Sequence, residues 1–411
     1  MIEEYGIRTL DDVEVRGKAV LVRVDINSPV DPSSKRILDY SRIKEHAETT
    51  LKELKEKGAK VIVIAHQGRK GEPDFISLKA HAEVMSDLLK TDVKFVDDIF
   101  GEKAKSAITS LSPGEVLLLE NVRTWEGETA KKSPEEHSRG DLVEGLAPLI
   151  DLFVFDAFAV AHRPHASVVG FIPRLPTVVG RVMERELRAL IRVRERPERP
   201  CIYVLGGAKA EDSADVAEGV LSKGVADKVL TGGLVANLFL HSKGVDLGAV
   251  NVKVLDKKGF LALTERIKGL LEKYGDNIVL PTDLAVEGIE GKRVEVEVSK
   301  LPVELLIKDI GERTIREYRE ELLKAKTVVI NGPMGVFEDE RFSKGTLELF
   351  KAVVDSKAFT VIGGGHTIAA ATKFGFKDKV SFVSTGGGAL MEYLSKGTLP
   401  VIEALKKYAK A

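Results

Sequence analysis

Two sets of residues in this chain have the types and spacing to do chemistry, and they differ in kind. In the first half, strand-like runs stop at charge. The first run carries Arg23 and Asp25, with Asn27 just beyond. The next ends in His66, Gln67, Gly68 and Arg69, another reaches Asn121 and Arg123, and the last reaches Asp156, His162, Arg163 and His165. Arg42 opens the helical stretch that follows the first run. A guanidinium group grips phosphate or carboxylate through a planar fork. For a single arginine a surface ion pair is the commoner role. Arg23, Arg42, Arg69, Arg123 and Arg163 together, all at strand ends or adjoining loops, point to a small, multiply anionic substrate.

Runs in the second half stop at glycine: Gly206-Gly207, Gly232-Gly233, Gly332-Pro333-Met334-Gly335, Gly363-Gly364-Gly365 and Gly386-Gly387-Gly388. Glycine lets a ligand approach the backbone, whose N–H groups then face phosphate oxygens, and helix N-termini add a favourable dipole. One such loop is often only a turn. Five of them suggest a nucleotide.

These residues need a scaffold that delivers them to one edge. The first-half runs, 18–26, 60–66, 93–97, 116–121 and 152–158, are continuously apolar, as in parallel strands covered on both faces. Amphipathic stretches over 41–58, 77–90 and 133–150 lie between them, the last opened by Ser133 and Pro134 as cap and first helical residue. The second half repeats the alternation with runs at 201–207, 228–233, 277–283, 327–335, 359–365 and 380–388. The expected fold is α/β: two doubly wound parallel-sheet (Rossmann-like) domains. Ligands of such sheets bind outside the carboxyl ends of the strands. Between the halves, Val179, Val182, Met183, Leu187, Leu190 and Ile191 recur at helical spacing within 175–200, which reads as one linking helix. A surface helix inside one domain is the plainer alternative.

Composition sets outer bounds. A chain of 411 residues is long for one core and suggests two domains. The formal net charge of -1 supplies no general attraction for nucleic acid or an acidic membrane. No apolar run reaches bilayer length, the first residues lack a hydrophobic signal core, and Cys201 is the single cysteine. A cytoplasmic protein is expected. Gln67 is the single glutamine in a chain with 30% charged residues, a usage found in proteins from hot environments.

The common nucleotide signatures are missing: there is no G-x-x-x-x-G-K-[ST], no dinucleotide G-x-G-x-x-G after the first strand, and no H-R-D with D-F-G. Cys201 opens a buried run and reads as packing. His162 and His165 suggest either a phosphohistidine or two loop histidines that hold their neighbours. Direct transfer between two bound ligands fits better, because phosphoryl transfer needs positioning and charge neutralisation more than a protein nucleophile.

Nine segments occur in order: RVDINSP (23–29), HQGR (66–69), LLLENVR (117–123), DAFAVAHRPHASVVG (156–170), LGGAK (205–209), LPTD (280–283), NGPMGVFE (331–338), GGGHT (363–367) and STGGG (384–388). Together they resemble the phosphoglycerate kinase family, from near residue 18 to near residue 400, with an archaeal-type flavour. The resemblance implies reversible phosphoryl transfer from 1,3-bisphosphoglycerate to ADP, giving 3-phosphoglycerate and ATP in glycolysis and gluconeogenesis, with Mg2+ on the nucleotide. It implies a triose-binding domain over 1–174, a linking helix or hinge over 175–196, a nucleotide-binding domain over 197–395, and a tail, 396–411, returning to the first domain. Small molecules are then the only partners expected, with neither nucleic acid nor membrane, and the protein itself a monomer or homodimer.

Carried over by motif, the resemblance gives Asp25 and Asn27 the glycerate end, within a substrate set that includes Gln67 and Gly68. His66, Arg69, Arg123 and Arg163 grip the phosphate that stays, and Arg42 faces the phosphoryl group in transfer. Lys209 reaches that group from the nucleotide side. Gly207, Ala208, Gly232, Gly233 and Asn331 belong to the nucleotide site, Glu338 to the ribose, and Gly363, Gly364, Gly365, His366 and Thr367 to a phosphate cradle. Three departures stand out. Ser213 occupies the place of a second lysine in GGAKAEDS, His366 follows the triple glycine where aspartate is common, and AHQGRK replaces SHLGRP. The metal's protein ligand is therefore left open. Rival readings are another two-domain transferase joining a nucleotide to a phosphorylated acid, and a nucleotide-sensing regulator on the same fold. The presence of both Arg42 and Lys209 speaks against the regulator.

Overall fold

The computed structural model describes residues 2–408, and the chain divides into two compact units. The first comprises residues 1–188 and 398–411, the second residues 189–397. The division falls inside the helix Arg181–Arg194. The expected tail therefore begins at residue 398, and its last three residues lie outside the described ones.

The first unit is built on β1 (Ala19–Arg23), β2 (Lys60–Ile64), β3 (Val93–Val96), β4 (Val116–Leu119), β5 (Leu152–Phe155) and β6 (Thr177–Val179). All its pairings are parallel, in the order β3-β4-β2-β1-β5-β6. Side chains alternate across a strand. Val20, Val22, Val61, Val63, Val116 and Leu118 share one core cluster, while Leu21, Ile62, Leu117 and Phe153 are equally buried on the other face. That double burial is why the runs are apolar throughout. The chain runs from β1 to one side of the sheet and returns to the other, so β1 is flanked by β2 and β5. The crevice at that reversal is where an open sheet receives a ligand, and Arg23 closes β1.

Three expectations change here. Residues 41–58 form one continuous helical stretch, but with a π-helical segment at Ala47–Leu51 between Ser41–His46 and Lys52–Glu56. The stretch 133–150 breaks into Pro134–His137, Asp141–Leu146 and Ala147–Leu149, because Gly140 is extended and Pro148 cannot continue a helix. Residues 175–180 are not helical: Pro176 leads into β6, and three β-branched residues suit a strand, so Val179 pairs with Phe155. The helix begins only at Arg181.

In the second unit lie β7 (Cys201–Leu205), β8 (Lys228–Thr231), β9 (Ile278–Val279), β10 (Asp283–Glu287), β11 (Arg293–Glu297), β12 (Ile307–Ile310), β13 (Thr327–Asn331), β14 (Phe359–Gly363) and β15 (Phe382–Val383). Six form a parallel sheet ordered β15-β14-β13-β7-β8-β9, reversing at β7 and β13. The other three form an antiparallel sheet, β11-β10-β12, that sequence reading overlooked. The expected strand over 277–283 is split at Pro281, which cannot donate to a ladder. Asp283 opens β10 instead. β11 (RVEVE) alternates in character and is largely exposed, so it lacks the continuous apolar signal of its neighbours.

Packing in the first unit also stores a pH dependence. His81, on the helix Lys79–Leu89, is fully buried, and its Nε2 lies 3.0 Å from Gln67 Oε1. Burial brings its pKa down to about 4, partly offset by the Ile26 backbone. Between the ordinary value of 6.5 and about 4, the unfolded chain takes up a proton that the folded chain refuses. Stability therefore falls as pH drops, by up to about 1.4 kcal/mol per pH unit from this group. Urea unfolding of His81→Leu across pH 4–7 is expected to show a shallower slope than the parent, and equal slopes would contradict it.

Candidate functional site

The carboxyl end of the first sheet gathers a cationic cluster. Arg23 is buried despite its charge; it donates from Nε to Ser167 Oγ (3.0 Å), to the Val24 carbonyl, and from Nη2 to His66 Nδ1 (3.0 Å). Arginine only donates, so His66 Nδ1 accepts and its proton sits on Nε2. The pKa of His66 lies well below its ordinary value, first because of burial, then because Arg23, Arg123 and Arg163 oppose a further positive charge. His66 is thus a neutral N–H donor. His165 is brought down to about 3 by burial and the same arginines. Arg123 itself is lowered to about 10 by burial, with Arg163 and Arg23 contributing, and it donates to the Gly68 carbonyl. Burial lowers Arg163 as well, with Arg69 opposing its charge. Arg69 is exposed, and neither the Arg69 nor the Arg163 guanidinium donates a hydrogen bond to a described residue.

Two carboxylates balance this cluster. Glu128 is fully buried, accepting from Ser167 Oγ (2.6 Å) and Ser167 N (2.9 Å). Burial raises its pKa, and Arg23 pulls against that rise. Asp25 accepts from Arg42 Nη1 (2.7 Å). Asn27 accepts from the Gly68 N–H (2.8 Å), which leaves its amide nitrogen for a ligand. Arg42 and Asp25, assigned to different parts of the substrate, therefore hold each other here.

Beneath Asp25 runs a second chain of contacts. The Asp25 N–H donates to His46 Nε2 (3.3 Å), so His46 carries its proton on Nδ1, which faces Asp156 Oδ2 (2.9 Å). The other Asp156 oxygen accepts from the N–H groups of Val182 (2.9 Å) and Met183 (3.1 Å), at the start of the helix Arg181–Arg194. A carboxylate suits that end of a helix dipole. Gly180 makes room, since a Cβ there would stand 2.3 Å from Asp156 Oδ1.

Gln67 is different from its neighbours. It is fully buried and engages Ser28 N, Ser28 O, Asp74 O and His81. The amide holds the loop's framework. Gly68 has φ +67°, and a Cβ there would press on the Asp74 backbone at 2.5 Å. Glu128, Ser167 and His46 were missed by sequence reading. The one signal available was the i,i+4 spacing of Arg42 and His46 on one helix face.

The second unit's glycine edge encloses a cavity of about 230 Å³. Gly207, Ala208, Lys209, Gly233, Asn331, Glu338, Gly364, Gly365, His366 and Thr367 line it. Gly232, Gly363 and the 386–388 glycines do not. Gly232 packs against Met334, and a Cβ on Gly363 would meet Leu390 at 2.0 Å, so both positions also serve packing. The loops support each other through the backbone: Gly207 N donates to Pro333 O (2.7 Å) and Gly233 N to Met334 O (2.9 Å). Thr367 Oγ1 accepts from Gly332 N (2.7 Å), and Asn331 Nδ2 donates to Gly363 O (3.1 Å). Lys209 is exposed at the start of the helix Ala210–Ser222. Ser213 is buried on that helix, its hydroxyl without a partner, so it contributes nothing to the cavity.

His366 is 79% exposed, 3.9 Å from Glu338 Oε1. The other carboxylate lining the cavity, Asp309, is tied to Arg293 Nη1 (2.8 Å) and the Gly345 N–H (2.9 Å). Magnesium prefers several oxygen ligands, and no group of three metal-binding side chains occurs among the described residues. The chain's own donors do not fit a resident magnesium site.

The buried Glu128 is the counter-charge of the arginine cluster. Glu128→Ala is expected to lower the unfolding free energy by about 3 kcal/mol in urea titration. A loss below about 1 kcal/mol would place it with ordinary surface substitutions.

Residues 10–397 match the family model for phosphoglycerate kinase. A phosphoglycerate kinase of Methanothermobacter thermautotrophicus is 48% identical over 403 residues, covering 98% of this chain and 97% of that protein. One from Methanopyrus kandleri is 49% identical over 400 residues, with 97% of each covered. A crystal structure of the enzyme from Pyrococcus horikoshii superposes with a TM-score of 0.87 at 43% identity, covering 98% of this chain and 99% of that one. The structure from Coxiella burnetii gives 0.85 at 31% identity, covering 98% and 100%. With two doubly wound sheets, one ending in arginines and the other in glycine loops, this chain belongs to the phosphoglycerate kinase family.

Proposed function

We propose that the two units divide the substrates of one reaction between them. The chain is a phosphoglycerate kinase, a phosphotransferase with a carboxyl group as acceptor. Its reaction moves a phosphoryl group reversibly between 1,3-bisphosphoglycerate and ADP, giving 3-phosphoglycerate and ATP. The P–O bond to the carboxyl oxygen breaks, a β-phosphate oxygen of ADP takes the phosphoryl group, and the carboxylate leaves. The observation that carries the division is the contrast in charge. The first unit presents unengaged guanidinium groups at Arg69 and Arg163, and the second presents glycine-rich backbone around a cavity.

On this reading Arg69, Arg123 and Arg163 hold the phosphate that stays, with the His66 Nε2–H as a neutral donor. Asp25 and Asn27 take the glycerate end. Arg42 leaves Asp25 to face the phosphoryl group in transfer, where fixed positive charge is worth most. Lys209 meets it from the nucleotide, whose phosphates lie on the 363–367 loop with its ribose at Glu338. His366, beside Glu338, reaches a phosphate or a water around the metal. Magnesium enters as part of the nucleotide substrate, neutralising phosphate charge. Direct transfer follows closure about the helix Arg181–Arg194, in a cytoplasmic setting consistent with the buried, unpaired Cys201. No helix among the described residues is long and apolar enough to cross a membrane.

A coupled assay with 3-phosphoglycerate and MgATP tests the activity directly. Arg42→Ala is expected to lower kcat by about 10²–10³-fold with a smaller change in the KM for 3-phosphoglycerate. An unchanged kcat with weakened triose binding would move Arg42 to substrate holding. In calorimetry, Glu338→Ala is expected to weaken ADP and leave 3-phosphoglycerate binding intact; loss of triose binding alone would reverse the assignment of the units.

A further inference from the structure

The cavity of the second unit changes character along its length. Where the glycine loops meet, the lining is mostly backbone, from Gly206, Gly207, Gly233, Gly332, Gly364 and Gly365. The helix Gly233–Ser242 starts there and carries the wall onward. Gly233 and Asn237 stand at i and i+4, on one face, one turn apart. Around that second turn the walls are Ala236, Leu284, Ile307 and Ile310, an apolar slot of the kind that takes a flat ring.

Asn237 is the exception in the slot. It lines the cavity, is 4% exposed, and its carboxamide has no hydrogen-bond partner among the described residues. Its amide atoms are not sealed from solvent, so they stand open to a ligand that enters the cavity. The other polar side chains along this wall are engaged: Lys308 Nζ pairs with Glu287 Oε2 (2.5 Å) and Asp309 with Arg293 (2.8 Å). Asn237 is the polar group in the slot whose donor and acceptor are both unspent.

We infer that Asn237 reads the nucleobase and sets the chain's preference for an adenine nucleotide over a guanine one. A carboxamide offers an acceptor and a donor side by side. Adenine matches both at once on its N7 edge, its 6-amino group donating to Oδ1 and N7 accepting from Nδ2. On the same edge guanine presents two acceptors, so one contact is lost and Oδ1 faces another oxygen. The inference rests on the nucleotide reading of the glycine edge and adds to it the identity of the base.

The test is the ratio of kcat/KM for MgATP to that for MgGTP, with 3-phosphoglycerate as co-substrate. The parent is expected to favour ATP by about tenfold or more. Asn237→Leu, alike in branching, is expected to bring the ratio within about twofold through the nucleotide KM. Asn237→Ala repeats the measurement if leucine disturbs folding, and the KM for 3-phosphoglycerate serves as internal control. A parent without preference, a preference for GTP, or a ratio unmoved by both variants overturns the inference. Calorimetry of MgADP on Lys209→Ala and Glu338→Ala separates the two levels. If those variants weaken binding while the Asn237 ratio stays fixed, Asn237 alone is misassigned. If neither weakens binding, the nucleotide reading fails and Asn237 falls with it.

Discussion

The first unit depends on holding several positive charges together in the absence of their ligand. Like charges this close repel, and burial removes the water that would screen them. Both histidines in the cluster respond by staying neutral: the pKa of His66 falls well below its ordinary value and that of His165 to about 3. Glu128 supplies the compensating negative charge from below, reaching Arg23 through the Ser167 hydroxyl rather than by direct contact. The arginines nearest solvent keep their hydrogen bonds unspent. On the proposed reading, such a cluster is organised for a dianion before one arrives, the condition under which fixed charge assists transfer.

The second unit is built differently at the carboxyl end of its sheet. Its edge uses peptide dipoles and helix starts rather than side-chain charge, so it needs no buried counter-ion. What it needs is backbone proximity. The helix Arg181–Arg194 is fastened within each unit by its own set of contacts. Asp156 takes its first N–H groups, and Arg181 reaches Asp11 and Glu53 in the first unit. In the second unit Arg194 donates to Leu394 O (2.7 Å) and Val193 O accepts from Tyr203. Through His46, the first fastening also holds the backbone of Asp25, so one buried carboxylate serves both the helix and the floor of the site.

Much of this was legible in the chain before folding. Strands covered on both faces are largely apolar, so eleven of the twelve parallel strands lie within runs legible in the sequence. The exception, β6, is three residues inside what looked like helical periodicity, and β9 is shorter than its run because Pro281 ends it. The antiparallel sheet was hidden because β11 is exposed and alternating. In the site, charged strand ends pointed to Arg69, Arg123 and Arg163 because those residues need no partner to be noticed. Glu128, Ser167 and His46 escaped notice because their roles exist only through contacts between residues far apart in sequence. Gln67, Gly232 and Gly363 show what a motif hides: each sits in a ligand-like stretch, and its side chain or its missing Cβ also serves packing.

The crossing of two glycine loops has a further consequence. A Cβ on Gly332 would lie 2.1 Å from the Gly206 carbonyl oxygen, and a Cβ on Gly206 would lie 2.3 Å from Pro333 O. Each loop is thus the other's steric boundary, and neither position can change alone without moving the partner backbone. In a mutational library both would score as intolerant and be read as chemistry. The intolerance instead measures clearance between two main chains, so the two sites form one unit of variation, altered together or not at all.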